Sequence, residues 1–326
     1  MKKLIVLFYL AVLLTGILAG CRKISAKNTG GAPETAQSSV RQEEAAAWPR
    51  TITDALGHEV LLTKKPERIT LLRSFYLEHF LLIGAPPTAA ATGNVLGEVE
   101  ALEQSEMYAP YLKDLEMINL GSAREINLEA ILESAPDVIV GTSVHGGLDR
   151  VYDQLVRIAP VALFDFSAPW QEQLLECAGI VGRESEARNV IAEIETVISS
   201  SKEIIAQHRN RTLALFRTDG KIFMIQGLSK YYEAFDITRP NGFSAAYENI
   251  SLEAVAEMNP YYIIFQHNYE AAASFVKGLS SSSVWRSIDA VKNGRIYYFD
   301  ENMNTYGPLA MRLAAEKLAR IYSGEL

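Results

Sequence analysis

The side chains best suited to chemistry in this 326-residue chain are arginines near the ends of predicted strands or in the loops beside them. A guanidinium group presents a rigid fork of N–H donors to oxygen atoms and stacks well on aromatic rings. Tyrosine and tryptophan accompany these arginines, so an oxygen-rich ligand with an apolar frame would suit the set. The predicted ligand-binding residues are Arg73, Arg124, Trp170, Arg217, Tyr231, Arg239, His267 and Tyr306.

Each of these residues also has a plainer explanation. Arg124 could pair with its neighbour Glu125 in a loop, Arg217 and Arg239 could form surface ion pairs, and any one tyrosine could fill a core. His145 and His267 stand just beyond predicted strand ends, where a histidine could ligate haem iron or simply hydrogen-bond within a loop. The five histidines are scattered and form no His-rich loop, so no direct metal site is expected.

An exported hydrolase is the competing functional class. The segment Gly141–Gly146 contains Ser143 and His145, but it lacks the G-x-S-x-G turn that exposes a serine nucleophile. The chain also has no P-loop and no G-x-G-x-x-G, and its carboxylates fall mostly on predicted helix faces. The expectation is therefore a protein that is not an enzyme.

A duplicated stretch indicates which elements position these residues. INLEAILESAPDVIVG, from Ile126 to Gly141, is echoed by ISLEAVAEMNPYYIIF, from Ile250 to Phe265, with seven of sixteen positions identical. Each copy reads as an N-cap, a Glu in a first helical turn, a stop at Pro and a β-branched or aromatic strand. The two copies predict two related α/β halves whose strand ends carry the functional residues.

One long helix is predicted between the two copies. From Arg183 to Arg211 apolar residues recur every three or four positions among charged ones, which is typical of an amphipathic helix. The predicted fold is α/β, with two Rossmann-like lobes joined by this helix and a ligand cleft between them. The expected boundaries are 48–182 for the first lobe, 183–210 for the helix and 211–326 for the second lobe.

The first 47 residues have the character of an export signal and a tether. Lys2 and Lys3 precede an apolar run that ends in Leu-Ala-Gly-Cys, which resembles a bacterial lipobox and predicts cleavage after residue 20 and acylation of Cys21. Residues 21–47 then form the lipidated cysteine and a flexible tether. The other cysteine, Cys177, is expected to be a buried free thiol. A net charge of −8 gives no sign of nucleic-acid binding.

At this point the chain resembles the substrate-binding lipoproteins of bacterial ABC importers for iron–siderophore complexes, haem and cobalamin. Its resemblance implies two lobes bridged by a single helix, a shallow cleft and small closure. No cofactor is implied, because the ferric siderophore is the cargo. The motifs that carry the resemblance are Pro66–Ile69, Asn127–Glu129, Trp170 with Gly182–Glu184, Ser251–Glu253 and Val284–Tyr297.

The same resemblance assigns roles that residue patterns do not. Glu129 and Glu253, at one place in the two repeats, match the pair that docks to arginines of the permease subunits; alternatively each only stabilises its helix N-terminus. Arg124 stands near the arginine that contacts iron-bound oxygens in hydroxamate-type relatives, so a ferric hydroxamate is favoured. Ferric catecholate, citrate, haem and cobalamin remain open. The expected protein is a monomer, anchored through Cys21 to the extracytoplasmic face of the cell membrane.

Overall fold

A computed structural model describes residues 48–92 and 99–326. The predicted signal peptide, Cys21 and the tether lie outside the described residues. Within those ranges no helix combines the length and the apolar character that a membrane crossing requires. Cys177 is a free, buried thiol, as its apolar setting predicts, and burial raises its pKa well above the ordinary value.

The described part begins with a β-hairpin. Strands β1 (Arg50–Thr53) and β2 (Glu59–Leu62) pair antiparallel, and Gly57 takes the positive φ of +82° that its turn requires. Asp54 closes the turn because its carboxylate accepts the backbone N–H groups of Leu56 and His58.

A five-stranded parallel sheet forms the first lobe, in the spatial order fifth, fourth, third, sixth and seventh strand of the chain. Mainly apolar residues fill its four buried strands, which suits a sheet covered on both faces. The strands are β3 (Ile69–Leu71), β4 (Ala89–Ala90), β5 (Ile118–Asn119), β6 (Val138–Thr142) and β7 (Val161–Phe164). The helices are α1 (Leu77–Leu82), α2 (Val99–Gln104), α3 (Ala109–Leu112), α4 (Leu128–Glu133), α5 (Leu148–Ile158) and α6 (Trp170–Val181), with a 3₁₀ turn at Ser74–Tyr76.

The bridging helix α7 spans Glu184–Ala206. Its 23 residues give a rod of about 34 Å. The predicted apolar stripe is present, with Ala187, Ile194 and Ile205 buried against the core. The helix starts after Gly182, which has a φ of +65°, and its last turn ends at Ala206, four residues before the predicted limit at residue 210.

A second five-stranded sheet forms the second lobe, with its first strand again at the centre. Its strands are β8 (Leu213–Thr218), β9 (Phe223–Gln226), β10 (Tyr247–Ile250), β11 (Tyr262–Gln266) and β12 (Ile296–Phe299), in the order β10-β9-β8-β11-β12. Strands β8, β11 and β12 are parallel, whereas β9 runs antiparallel to β8 and to β10. The helices are α8 (Tyr231–Ala234), α9 (Leu252–Met258), α10 (Tyr269–Gly278), α11 (Ser283–Ser287), α12 (Asp289–Lys292) and α13 (Pro308–Ser323), with a 3₁₀ helix at Glu301–Thr305.

The two repeats occupy the same place in the two lobes. The first copy supplies α4 and β6, the second supplies α9 and β11, and both strands lie directly beside the central strand of their sheet. Both helices are capped alike: the side chain of Asn127 accepts the N–H of Ala130 at 3.1 Å, and that of Ser251 accepts the N–H of Ala254 at 3.2 Å. The architecture is thus two α/β lobes joined by one long helix.

One segment departs from its local pattern. Residues 285–291 have a helical pattern in the sequence but form parts of two helices, α11 and α12, because Ile288 between them is extended, with φ −69° and ψ 135°. The C-terminal helix α13 packs on the second lobe, where the ring of Tyr322 lies 4.9 Å from that of Tyr262, and it also lies along α7 and contacts α1 and α6 of the first lobe. Its N-terminus is therefore close to both lobes.

Candidate ligand-binding cleft

The first lobe brings two of the predicted arginines together. Arg73 follows β3, and its Nε donates to the backbone carbonyl of Ala123 at 3.1 Å, next to Arg124 in the loop after β5. Burial, aided by the positive charge of Arg124, lowers the pKa of Arg73. Arg124 is exposed, and within the described residues no ion pair joins it to Glu125. Two guanidinium groups held close together favour an anionic or oxygen-rich partner.

His145 lies beneath this pair. It follows β6, which is hydrogen-bonded to β3, so parallel strand ends bring it near Arg73. Burial lowers the pKa of His145 to about 4, and the charge of Arg73 acts in the same direction. The histidine is therefore neutral at physiological pH and leaves the two arginines as the charge of this wall.

An aromatic wall that the sequence analysis did not select stands beside Arg73. The rings of Phe75 and Phe166 stack with centroids 4.5 Å apart, and the guanidinium carbon of Arg73 lies 5.3 Å from the Phe75 centroid. Both phenylalanines are partly exposed. Phe166 comes two residues after the end of β7, and that position was the signal that could have identified it.

Trp170 does not contribute to this wall. It opens α6 but only 8% of its surface is exposed, and it packs into the hydrophobic core. The prediction placed it in the cleft because it follows β7 by a few residues, whereas the helix turns its ring inward. Trp170 therefore supports the lobe and offers almost no surface to a ligand.

Adjacent parallel strands of the second lobe assemble a polar group at their carboxyl ends. Arg217 is the penultimate residue of β8, His267 directly follows β11 and Glu301 lies two residues after β12. The Nη2 of Arg217 donates to Nδ1 of His267 at 3.4 Å, and an Oε2 of Glu301 lies 3.6 Å from the same nitrogen. Glu301 was not predicted, since a lone glutamate after a strand has no distinguishing pattern.

The hydrogen bond from Arg217 fixes the state of His267. Arginine can only donate, so Nδ1 must accept and the ring proton must be on Nε2. Burial lowers the pKa of His267, as does the charge of Arg217, while Glu301 raises it. The neutral ring therefore presents an N–H and no lone pair at Nε2, which suits hydrogen bonding to a ligand oxygen and not coordination of iron.

This tautomer is directly measurable. We expect nitrogen-15 NMR of the imidazole at pH 7.5 to show the Nε2–H form of His267, with protonation below the ordinary pKa of 6.5. Glu301→Gln should lower the midpoint further and Arg217→Met should raise it, because the two neighbours act in opposite directions. An Nδ1–H tautomer in the unaltered protein would contradict the assignment.

Tyr306 lies behind this polar group. Its backbone has a left-handed φ of +52°, and its half-buried ring meets the ring of Tyr231 edge-on at 5.0 Å. Burial raises the pKa of Tyr306 to about 12, so its hydroxyl keeps its proton. Tyr306 retains a partly exposed surface and fits a cleft wall.

Tyr231 and Arg239 have structural positions instead of the predicted ligand contacts. The side chain of Tyr231 is 2% exposed, and its hydroxyl donates to the carbonyl of Met303 at 2.6 Å. The guanidinium carbon of Arg239 lies 4.0 Å from the ring centroid of Tyr232, and its Nη2 donates to the carbonyl of Gly227 at 3.2 Å. Tyr231 was predicted in a helical piece and Arg239 in a loop near the cleft, but tertiary packing turns both side chains onto neighbouring loops and rings.

The two repeat glutamates lie on the surface. Glu129 and Glu253 are each in the first turn of an exposed helix, α4 and α9, one on each lobe. The helix dipole favours a carboxylate at that position, and this interaction stabilises the helix. It leaves the exposed carboxylate oxygens accessible to a partner. Matching exposure on the two lobes is the geometry that a two-point docking surface requires.

The described residues contain no group of three or more His, Cys, Asp or Glu side chains able to hold a metal ion. The polar groups at the two sets of strand ends are instead dominated by guanidinium donors. The pKa of Asp165, after β7, is lowered by its hydrogen bonds from Ser167 and also by the positive charge of Lys230 in the second lobe. The arrangement can hold a bulky chelate through its outer oxygens, without direct ligands to the metal.

Comparison with known proteins places this architecture. A model of the periplasmic binding protein family matches residues 69–303. The chain is 25% identical over 321 residues to a probable siderophore-binding lipoprotein of Bacillus subtilis (strain 168), with 92% of each chain covered. It is 24% identical over 309 residues to the Fe(3+)-citrate-binding protein of the same organism, covering 92% of this chain and 90% of that one.

Solved structures show the same fold. The triscatecholate siderophore binding protein of Bacillus subtilis, complexed with ferri-bacillibactin, aligns with a TM-score of 0.66 at 21% identity, covering 84% of this chain and 98% of that chain. The two-lobed architecture, the arginine-lined strand ends and a family match over most of the sequence agree with one another. This chain belongs to the periplasmic binding protein family.

Proposed function

We propose that this protein is the extracytoplasmic substrate-binding component of an ABC importer and that it captures a ferric siderophore. The observation that carries the proposal is the pair Arg73 and Arg124 beside the Phe75–Phe166 stack, with Arg217 and the Nε2–H of His267 at the strand ends of the other lobe. A ferric siderophore is a bulky chelate with exposed oxygens and an apolar frame, which such donors and rings complement. The siderophore-binding and citrate-binding relatives support the same class of cargo.

A ferric hydroxamate is the favoured cargo. Arg124 is exposed and unpaired with Glu125, so its five N–H donors are available to iron-bound oxygens. Glu301 beside Arg217 and His267 offsets positive charge on the second lobe, which suits a chelate of low net charge better than a trianionic catecholate. Haem is less well matched, because His267 presents an N–H where an iron ligand needs a lone pair.

The experiment is a fluorescence titration of the protein with ferric hydroxamate, catecholate and citrate chelates, haem and cobalamin. We expect saturable quenching with the hydroxamate. Arg124→Ala should weaken that binding roughly tenfold to a hundredfold, the range for losing a charge-assisted hydrogen bond in a desolvated site. Arg157→Ala, an exposed arginine in the last turn of α5, is the matched control and should bind as the unaltered protein does.

Saturable binding of haem alone, or equal affinity of Arg124→Ala and the unaltered protein, would contradict this assignment. The proposal is of a carrier and not an enzyme, which the binding-protein relatives support; Ser143 and His145 are therefore not expected to act as a nucleophile and its base. Turnover of an ester or phosphate substrate that is lost in Ser143→Ala would support the hydrolase alternative.

Delivery to the permease and attachment to the membrane complete the proposal. Glu129 and Glu253 dock the loaded protein, as a monomer, to basic residues of the two permease subunits. Cys21 carries the lipid that holds the protein on the extracytoplasmic face of the membrane, since two or more acyl chains anchor stably where one does not. The name of the lipoprotein relative supports this placement.

A further inference from the structure

One stretch of the second lobe is held by the first lobe at both of its ends. We call residues 300–310 the crossing segment; it follows β12, includes the 3₁₀ helix Glu301–Thr305 and runs into the start of α13. It carries Glu301 and Tyr306, two side chains of the candidate cleft. The position of this segment therefore affects the geometry of the site.

The two attachments come from different parts of the first lobe. At the start of the segment, the hydroxyl of Ser105 donates to Oδ2 of Asp300. At its end, Oε2 of Glu78 on α1 accepts the backbone N–H of Leu309 at 2.7 Å and that of Ala310 at 3.1 Å. Between them, the hydroxyl of Tyr231 ties the carbonyl of Met303 to the second lobe. The segment is thus fixed to both lobes.

The carboxyl group of Glu78 is enclosed at the end of the crossing segment, where α13 begins. Its side chain is fully buried, and a Cβ placed on Gly307 would overlap its carboxyl group, so the glycine leaves room for that group in its present position. Helix α13 has 16 residues, and the free N–H groups and dipole of its first turn favour an acceptor at that end. Both hydrogen bonds fall on one oxygen, Oε2, while Oε1 has no hydrogen-bond partner within the described residues.

The surroundings favour a carboxyl that keeps its proton. Burial raises the pKa of Glu78 to about 7, against the lowering effect of the nearby Thr305 side chain and of the backbone N–H groups of Ala310 and Leu309. The titratable groups that face it are Tyr108, before α3, and Tyr231 on α8, both of which remain protonated because they are buried. His79, next to it on α1, is buried with a pKa lowered to about 3 and carries no charge.

We propose that Glu78 is a positioning residue for the cleft: a buried carboxyl of the first lobe that holds the crossing segment and so fixes Glu301 and Tyr306 relative to Arg73 and Arg124. As a statement about ligand binding, this rests on the function proposed above. A protonated carboxyl resembles an amide, with one oxygen free to accept. A glutamine at position 78 should therefore accept the same two hydrogen bonds through its amide oxygen. An alanine there leaves the N–H groups of Leu309 and Ala310 without an acceptor.

The test combines hydrogen–deuterium exchange with ligand titration. In Glu78→Ala we expect amide exchange across the crossing segment to quicken at least tenfold and affinity for the ferric hydroxamate probe to fall at least tenfold. Glu78→Gln should stay within about threefold of the unaltered protein in both measurements. The matched control is Lys317→Ala, which removes an ion pair with Glu106 between the same two lobes at the surface and should also change little.

The outcomes separate positioning from mere stability. If Glu78→Ala unfolds more easily but its folded form keeps the exchange pattern and the affinity of the unaltered protein, the proposal is overturned. Should Glu78→Ala not fold, Ser105→Ala frees only the other end and is expected to quicken exchange near Asp300 and weaken binding about threefold; no change in either would count against the proposal. If no chelate binds the unaltered protein, the proposed function fails, while the exchange measurement still decides whether Glu78 holds the segment.

Discussion

A protein that carries both Glu129→Arg and Glu253→Arg is expected to bind its ferric chelate normally and to lose at least nine-tenths of uptake in cells. The two carboxylates are exposed, one on each lobe, and each lies in the first turn of its helix. Charge reversal opposite a basic permease surface replaces attraction with repulsion at two points, which slows association and costs affinity. The measurement is iron-55 uptake, with chelate affinity determined on the purified variant.

Matched controls come from the same repeats. Glu133 and Glu257 occupy one repeat position, are exposed, and lie one turn further along α4 and α9. Reversing both changes the net charge as much as the test variant does, yet uptake should remain near normal. The uptake of each single variant, Glu129→Arg or Glu253→Arg, should lie between that of the double variant and that of the unaltered protein. Normal uptake by the double variant would exclude docking through these residues, and equal loss in the control pair would assign the effect to overall charge.

The free energy of unfolding should depend on pH through Glu78. Because the pKa of Glu78 is raised from 4.5 to about 7 by burial, the folded protein keeps a proton that the unfolded chain releases between these values. Its contribution is therefore complete below pH 4.5 and declines as the pH rises towards 7, by about 3 kcal/mol in all. The comparison is between the unaltered protein and Glu78→Gln, in chemical denaturation from pH 5 to pH 8.

The glutamine variant is needed because two buried histidines act in the opposite direction. The pKa values of His79 and His145 are lowered by burial to about 3 and about 4, so both reduce stability as the pH falls below 6.5. Both histidines are present in the unaltered protein and in Glu78→Gln, so their contributions cancel when the two free energies of unfolding are subtracted. That difference should grow in favour of Glu78→Gln as the pH rises from 5 to 7 and then become constant. A difference that is flat with pH would contradict a raised pKa for Glu78.

Local patterns were sufficient for much of the fold. The repeats around Glu129 and Glu253 predicted two loop–helix–strand units, and the apolar stripe of α7 predicted the helix between the lobes, because hydrophobic periodicity and capping are written in neighbouring residues. The break at Ile288 was not predictable in the same way. Its surroundings, WRSIDAVK, continue a helical pattern on both sides, and only tertiary packing separates α11 from α12.

The candidate site was predicted less completely, since it depends on contacts between distant residues. Strand-end position drew attention to Arg73, Arg217 and His267, which lie in polar clusters, but it could not tell an outward side chain from a buried one. Trp170 met the same positional rule and lies in the core, as does Tyr231, which was chosen as an aromatic neighbour of the arginines. The partners of His267 and of Glu78 are separated from them in sequence by 34 residues or more, so no local pattern indicates them.

The joint between the lobes has a mechanical consequence. Helix α13 begins at the crossing segment and lies along α7, so both connections between the lobes are side by side on one flank of the molecule. Two adjacent attachments form a hinge: they allow the lobes to rotate about the hinge axis but resist sliding or twisting of one lobe against the other. For the proposed carrier we therefore expect selectivity to depend on the thickness of the chelate between the two lobes.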